Sequence, residues 1–224
     1  MSQADTEDAT TRVEERYFEE TADPKILASA LVWMVLGDGN ITISRGNNCQ
    51  GFIQITHTPK HLDYIRAKGR VITRITSCKF KEYYHSRQDT TFLQLWTKRH
   101  PFFTKMRNHC YLNKRKVISK HSLVLVNPLS LAILYQDDGR RNAGKSTCSI
   151  NKPLFSVIEL EALAKRIVDN FGIIFRVRKS CKLKDGSQGH ELALRWSDHD
   201  KFFNLIDPYI LPSMYYKTPR GDSL

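Results

Sequence analysis

The chain is predicted to be an α+β protein in which one α-β-β-α-β-β-α layout occurs twice, the two copies related by a pseudo-two-fold axis. Three observations carry this prediction. Residues 31–39 (LVWMVLGDG) and 131–139 (LAILYQDDG) are each an apolar, helix-like run closed by Asp-Gly. The segments that follow them repeat in the same order. Residue identities also recur at an offset of 100, pairing Leu31 with Leu131, Asp38 with Asp138, Gly39 with Gly139, Trp96 with Trp196, Phe102 with Phe202 and Phe103 with Phe203. On this reading residues 1–19 are a mobile acidic tail, 20–120 the first half and 121–224 the second.

Over 24–36 the apolar residues Ile26, Leu27, Ala30, Leu31, Met34 and Val35 recur at three- and four-residue steps, the spacing of a helix with a buried face. Asp23 is placed as its N-cap and Pro24 as its first residue, and Gly39 as a left-handed C-terminal cap. The second run repeats the design with Asn127 as cap, Pro128 opening and Gly139 closing. If the two helices pack together, Asp38 and Asp138 meet at two negative helix ends, where anions are disfavoured. A hard divalent cation with oxygen ligands would compensate them. One such helix alone reads better as a core helix with a glycine cap; the repetition argues for more.

After Gly39 the pattern becomes extended. Ile41 and Ile43 alternate with Thr42 and Ser44, Gly46, Asn47 and Asn48 form a turn, and 52–56 resumes the strand, which reads as a hairpin. A helix is expected over 61–75, with Leu62, Ile65, Val71 and Ile72 on its apolar side. A second hairpin (78–85 and 91–97) and a helix over 101–110 complete the first half. From Asn127 the order returns: helix, strand over 146–152, helix over 157–171, strands over 175–182 and 191–196, and a closing helix from Asp198.

The net charge of +12 conceals an asymmetry, because residues 1–20 hold seven acids and two bases and leave +17 on the remainder. Such a body calls for a polyanionic partner, nucleic acid before a membrane surface, against the alternative of a merely soluble basic protein. The five cysteines are odd in number and form no C-x-x-C pair, so neither a disulfide framework nor a zinc site is indicated and a reducing compartment fits. The eight histidines are read as surface or packing residues rather than metal ligands. No apolar run reaches membrane-spanning length, and the acidic start resembles neither a secretory signal nor an import signal. An intracellular location without membrane contact is expected, with an organelle left open.

Strand faces give the candidate contacts. Arg176, Arg178, Lys182 and Lys184 are expected to share a face with Ser180, while Phe175, Val177, Cys181 and Leu183 pack on the other. Gln50, Gln54, Thr56 and Thr58 share a face opposite Ile53 and Ile55, and Lys79, Lys81 and Tyr83 do so in the next hairpin. Arginine and glutamine on a strand in the major groove read guanine and adenine edges, whereas lysine mainly holds phosphates. The solvated face of an antiparallel sheet gives the same pattern in any single strand; several such strands in so basic a body favour nucleic acid. Strands of about nine residues span roughly 30 Å, so two halves with different strands would read a long, loosely palindromic site.

The two motifs, together with LNKRKVIS (112–119), NPLSLAILYQDDG (127–139) and LPSMYYKTP (211–219) in that order and spacing, resemble the single-chain, two-motif LAGLIDADG homing endonucleases. The resemblance is greatest to the type carried in mitochondrial large-ribosomal-RNA introns, and it covers residues 24–219 or so. It implies a homing-endonuclease fold with two antiparallel DNA-binding sheets, and a monomer that cuts double-stranded DNA using Mg²⁺. It also implies that Asp38 and Asp138, each at the eighth motif position, bind the metal. Lys116 and Lys217 would be the basic residues beside the scissile phosphates, their spacing of 101 residues agreeing with the internal offset; Arg115 competes with Lys116 if the register slips by one. Asp137 is set aside, because successive helix positions point about 100° apart. Trp33 and Gln136 depart from the smaller or acidic motif residues at the helix contact. Two other functions share this scaffold: an RNA-binding maturase that assists splicing of its own intron RNA, and a DNA-binding regulator that does not cut.

Overall fold

Two helices stand at the centre because neither has a polar side to offer water. The computed structural model describes residues 3–44, 49–86, 89–142 and 147–223. Its first part runs α1 (Gln3–Glu20), α2 (Pro24–Leu36), β1 (Asn40–Ile43), β2 (Gly51–His57), α3 (Leu62–Ile72), β3 (Cys78–His85), β4 (Thr90–Thr97) and α4 (Pro101–Cys110). A small hairpin, β5 (Tyr111–Leu112) and β6 (Arg115–Lys116), and the short α5 (Lys120–Val124) lead on. The second part is α6 (Pro128–Asp138), β7 (Gly139–Asn142), β8 (Thr147–Asn151), α7 (Val157–Phe171), β9 (Phe175–Lys182), β10 (Gln188–Leu194) and α8 (His199–Ile206), ending in 3-10 turns that include Pro212–Lys217. Among the described residues no helix is long and apolar enough to cross a membrane.

The central pair is α2 and α6, which pack on each other. Every residue from Ser29 to Leu36 in the first is buried, as is every residue from Leu129 to Gln136 in the second; helices apolar all round belong in the core. Their starts are those read from sequence. The Asp23 carboxylate accepts from the amides of Lys25 at 2.6 Å and Ile26 at 3.2 Å. Asn127 and Ser130 form a reciprocal capping box, each bond 2.8 Å. Their ends differ from expectation. The C-caps are Gly37 (φ −75°, ψ −128°) and Gly139 (φ −70°, ψ 143°), so neither Gly39 nor Gly139 is left-handed. Both are needed for space: a Cβ on Gly39 would meet the Met34 carbonyl oxygen at 2.6 Å, and one on Gly139 would collide with the Tyr135 carbonyl.

Two four-stranded antiparallel sheets have matching order, β1-β2-β4-β3 and β7-β8-β10-β9. Ile41, Ile53, Ile55, Leu93 and Leu95 are buried under the first, and Ile150, Phe175, Leu192 and Leu194 under the second. Across the first sheet Asn40, Gln54, Trp96 and Lys79 stand in one row, and Thr56, Gln94 and Lys81 in the next. The corresponding rows of the second are Arg140, Ser149, Ala193 and Arg176, then Asn151, Glu191 and Arg178. Trp96 is therefore matched by Ala193, not by Trp196, which lies beyond β10 and is exposed. The constant offset of 100 holds at the motif helices and drifts in the sheets because the connecting loops differ in length. The expected turn at Gly46, Asn47 and Asn48, and the strand start at Ser146, lie outside the described residues.

The acidic segment is not a mobile tail: it is helix α1. Its composition hides an apolar edge, since Val13 packs against the core and Tyr17 is fully buried. The Tyr17 hydroxyl donates to the Tyr209 carbonyl at 3.1 Å and accepts from Gln136 Nε2 at 2.8 Å. The acids also have partners, for Glu14 lies in the field of Arg70 and Arg66 on α3. Truncating a buried aromatic to alanine costs about 3–5 kcal/mol. Tyr17→Ala is expected to lower the stability measured by denaturant unfolding by that amount, whereas a substitution in a detached tail would leave the midpoint unmoved.

Candidate active site

At the base of the helix pair α2 ends at Leu36 while α6 runs on to Asp138, and this unequal ending decides which side chains meet. Asp137, fully buried, reaches across to the first half. Its Oδ1 accepts from Lys68 Nζ at 2.5 Å and from the Tyr64 hydroxyl at 2.8 Å, and its Oδ2 accepts from the Asp38 amide at 3.1 Å. Gly37 is obligatory beside it, because a Cβ there would run into the Asp137 carboxylate. The 100° rotation between neighbouring helix residues, the ground for setting Asp137 aside, is what sends it and Asp138 to different partners.

Asp38, His57 and Asp137 each place one potential ligand atom within 4.8 Å of the others. The His57 Nδ1 is 3.8 Å from Asp38 Oδ2, and its Nε2 is 3.2 Å from Lys68 Nζ. An ammonium only donates, so Nε2 accepts and the ring hydrogen sits on Nδ1, facing Asp38. The Nδ1–H therefore points towards Asp38 from 3.8 Å, beyond hydrogen-bond distance, and His57 offers Asp38 no lone pair on that side. Asp137 has both oxygens engaged. Asp38 and Asp138 remain as the carboxylates suited to hold a cation, the donor set a hard divalent ion prefers.

Asp138 forms an ion pair with Lys152, whose Nζ also donates to the Leu36 carbonyl at 2.8 Å. The strand registers make Thr56 equivalent to Asn151 and so His57 equivalent to Lys152. Asp38 thus faces the last residue of β2, and Asp138 the residue that follows β8. Lys116 donates to the Gly37 carbonyl at 2.7 Å, and Lys217 to the carbonyls of Gln136 at 2.6 Å and Asp137 at 3.2 Å. These are equivalent bonds to the ends of the two helices, where a cation is favoured. Arg115 turns away to the Leu154 carbonyl and Glu159, both at 3.0 Å, which leaves Lys116 as the basic residue at the site.

The electrostatics follow from burial. Burial and the charge of Asp137 push the Asp38 carboxyl up to about 7. Burial also raises Asp138, against the pull of Lys152. Burial opposes charge on Asp137 as well, yet Lys68 holds it below the usual carboxylate range. Burial and the neighbouring Lys68 hold His57 down to about 3, keeping it neutral. Burial and Lys152 bring Lys116 down to about 8, and burial lowers Lys217.

Gln54, Thr56, Lys79, Lys81 and Tyr83 share the outer face of the first sheet as expected from alternation, alongside Phe52, Phe92, Gln94 and Trp96. Gln50 and Thr58 lie just outside β2. On the second sheet Arg176 and Arg178 share the outer face with Glu191 and Ala193. Lys182 and Lys184 do not join them. A register shift places Lys182 opposite Gln188, in the alternation of buried Leu192, and Lys184 lies in the turn beyond β9. A bulge in a strand cannot be read from alternation alone. His57, Lys68, Asp137 and Lys152 were missed as site residues. A trace of two of them is visible: Ile-Thr-His before Thr58-Pro59 and Ile-Asn-Lys before Pro153 each end a strand in a titratable residue.

The model of the LAGLIDADG DNA endonuclease family matches residues 28–197. The chain is 27% identical over 196 residues to the protein RecA of Mycolicibacterium flavescens, a match covering 82% of this chain and 44% of that one. It is 30% identical over 125 residues to the probable intron-encoded endonuclease 1 of Wickerhamomyces canadensis, covering 53% of this chain and 51% of the other. The chain thus spans about half the length of these curated relatives. Among solved structures, the homing endonuclease I-WcaI bound to its DNA recognition sequence superposes with a TM-score of 0.70 at 23% identity, covering 86% of this chain and 85% of that one. I-DmoI in complex with DNA and Ca superposes with a TM-score of 0.54 at 15% identity, covering 81% and 89%. These two likenesses establish the fold.

Removing one member of a buried ion pair strands the other charge and costs about 3–5 kcal/mol. Lys68→Met and Asp137→Ala are each expected to destabilise by that order. The double variant should lose clearly less than the two single losses combined when all three are unfolded in denaturant; simple additivity would show that the pair is uncoupled.

Proposed function

The chain belongs to the LAGLIDADG DNA endonuclease family, and from that premise we propose that it is a site-specific, metal-dependent homing endonuclease. On this reading it acts as a monomer and hydrolyses both strands of a long double-stranded DNA site. The observation that carries the reading is the pair of aspartates at the base of the helix pair, Asp38 two residues past the end of α2 and Asp138 the last residue of α6, each beside one of two sheets of matching topology. The maturase and regulator readings share the basic sheets but give these costly, half-buried carboxylates no work. Similarity to a probable intron-encoded endonuclease supports an intron-borne type, and free cysteines throughout the described residues accord with the intracellular location.

Mg²⁺ fits this donor set, and Asp38 and Asp138 would hold it. The chemistry it supplies when bound is polarisation of phosphate oxygens and a lowered pKa for attacking water. The protein does the rest. Asp137 fixes the Asp38 backbone by accepting a hydrogen bond from its amide, and the Nδ1–H of His57 faces the Asp38 carboxylate. Lys116 and Lys217 bring one positive charge to each half, where negative charge grows on the phosphate in the transition state. The sheets hold the duplex, with Lys79 and Lys81 on phosphates and Gln54, Thr56, Arg176 and Arg178 at base edges.

The experiment is cleavage of a randomised duplex-site library with Mg²⁺. The unaltered protein is expected to cut one long site. Asp38→Asn and Asp138→Asn should each lose cutting by on the order of 10²–10³-fold, the loss for one preorganised charge-stabilising group, while still selecting that site. Selection without any cutting by the unaltered protein would favour the regulator, and indifference to DNA would favour the maturase.

A second prediction follows from the raised carboxyls. A carboxyl at 3.8 when unfolded and about 7 when folded binds more protons in the fold between those values, so its contribution to stability falls as pH rises through that window. A cation that takes the ionised form reverses the loss. The rise in melting temperature on adding Mg²⁺ should therefore be small at pH 5 and large at pH 8, and Asp38→Asn should flatten this dependence. An Mg²⁺ effect equal at both pH values would remove Asp38 from the metal site.

A further inference from the structure

The outer faces of the two sheets have matching rows but unlike chemistry. On the first, the rows Asn40, Gln54, Trp96, Lys79 and Thr56, Gln94, Lys81 are flanked by Phe52, Phe92 and Tyr83. Phe52 stacks on Trp96 with ring centres 5.7 Å apart, and Tyr83 on Phe92 at 5.6 Å. The amides are pre-oriented within this surface: Trp96 Nε1 donates to Gln94 Oε1 at 3.1 Å, and Gln94 Nε2 donates to Thr56 Oγ1 at 3.4 Å. Among the described residues in these rows there is no arginine and no acid. Lysine stands only on β3, at the edge of the sheet.

On the second sheet the equivalents of Asn40, Lys79 and Lys81 are Arg140, Arg176 and Arg178, the equivalent of Gln94 is Glu191, and the equivalent of Trp96 is Ala193. The shallow cavity over this face, about 410 Å³, is lined by Arg140, Arg176, Arg178, Arg195, Glu191 and Trp196. Ser149 Oγ donates to the Glu191 carboxylate at 3.0 Å, which sets that side chain among the arginines.

Base edges distinguish these two surfaces. In the major groove arginine pairs with guanine O6 and N7 and glutamate accepts from cytosine N4, whereas glutamine pairs with adenine N6 and N7 and apolar groups meet the thymine methyl. We propose that the DNA site is compositionally lopsided: A·T-rich in the half held by the first sheet, guanine-containing in the half held by the second. The specificity-determining residues are Gln54, Gln94 and Trp96 on one side and Arg140, Arg176 and Arg178 on the other. The proposal rests on the DNA reading above and adds to it which bases each half prefers. The lysines of β3 serve phosphates and carry little of the sequence preference.

The test is selection of bound duplexes from a fully randomised library, with Ca²⁺ replacing Mg²⁺ so that binding is read without cutting. The selected sites should divide into an A·T-rich half and a half with fixed G·C positions. Arg178→Lys keeps the charge but loses the planar fork; it should weaken preference at a guanine of the second half by roughly 10- to 100-fold and leave the A·T half untouched. Gln94→Ala should relax one A·T position in the other half alone. Two halves of equal composition would overturn the inference, as would both variants relaxing the same half, with the endonuclease reading left intact. Failure of the unaltered protein to select any duplex would overturn both together. Circular dichroism melts of the variants, expected within a few degrees of the parent, separate lost recognition from lost folding.

Discussion

A buried carboxylate, Asp137, is the constraint on which the base of the molecule depends. Its side chain is fully enclosed, and it makes three contacts to the other half: Lys68, Tyr64 and the Asp38 amide. A charge without water must be paired and hydrogen-bonded or it does not stay charged. Lys68 satisfies this, and its remaining reach to His57 fixes the imidazole tautomer. One ion pair therefore sets the backbone of Asp38, the face His57 shows to it and, through the absence of a Cβ at Gly37, how closely α2 and α6 approach. The two helices are apolar along their length, so the pair specifies register where apolar packing alone would allow sliding.

The site is symmetric in backbone and unsymmetric in side chains. Lys116 and Lys217 bond to helix-end carbonyls in equivalent ways, and Gly39 and Gly139 are both demanded by backbone contacts. These contacts are made to backbone that both halves place alike, and so they recur. Beyond them the halves diverge: Asp38 faces a neutral imidazole, whereas Asp138 faces the Lys152 ammonium. Burial raises both carboxyls; at Asp38 the charge of Asp137 adds to it, and at Asp138 the paired Lys152 pulls against it.

Much of this was legible in the amino-acid sequence, for reasons that can be named. Helix starts are local, so Asp23-Pro24 and Asn127-Pro128 could be placed from neighbours alone. Strand faces were legible wherever alternation is unbroken, as from Gln54 to Thr56 and from Lys79 to Tyr83. Reading failed where a tertiary contact overrides a local rule. The acids of α1 looked like a tail because the basic face of α3 that receives them is some fifty residues away. Gly39 and Gly139 looked like left-handed caps because a clash with a carbonyl five or four residues back leaves no mark in composition. Lys182 was assigned to the wrong face because a bulge shifts alternation by one without changing residue types.

His57, Lys152 and Lys68 show the limit most clearly. Each is a single titratable residue on an otherwise ordinary element, and what makes it part of a site is a neighbour from another segment. The aspartates were visible because duplication printed them twice, whereas Asp137 has Gly37 as its counterpart and was printed once. That difference is itself informative. A repeated residue marks what both halves must do alike, namely place a carboxylate at a helix end. A residue present in one half marks what only one copy can supply, since two aspartates at positions 37 and 137 would meet in the space that one already fills. The interlock of glycine with aspartate is therefore a necessary asymmetry at the heart of a duplicated fold.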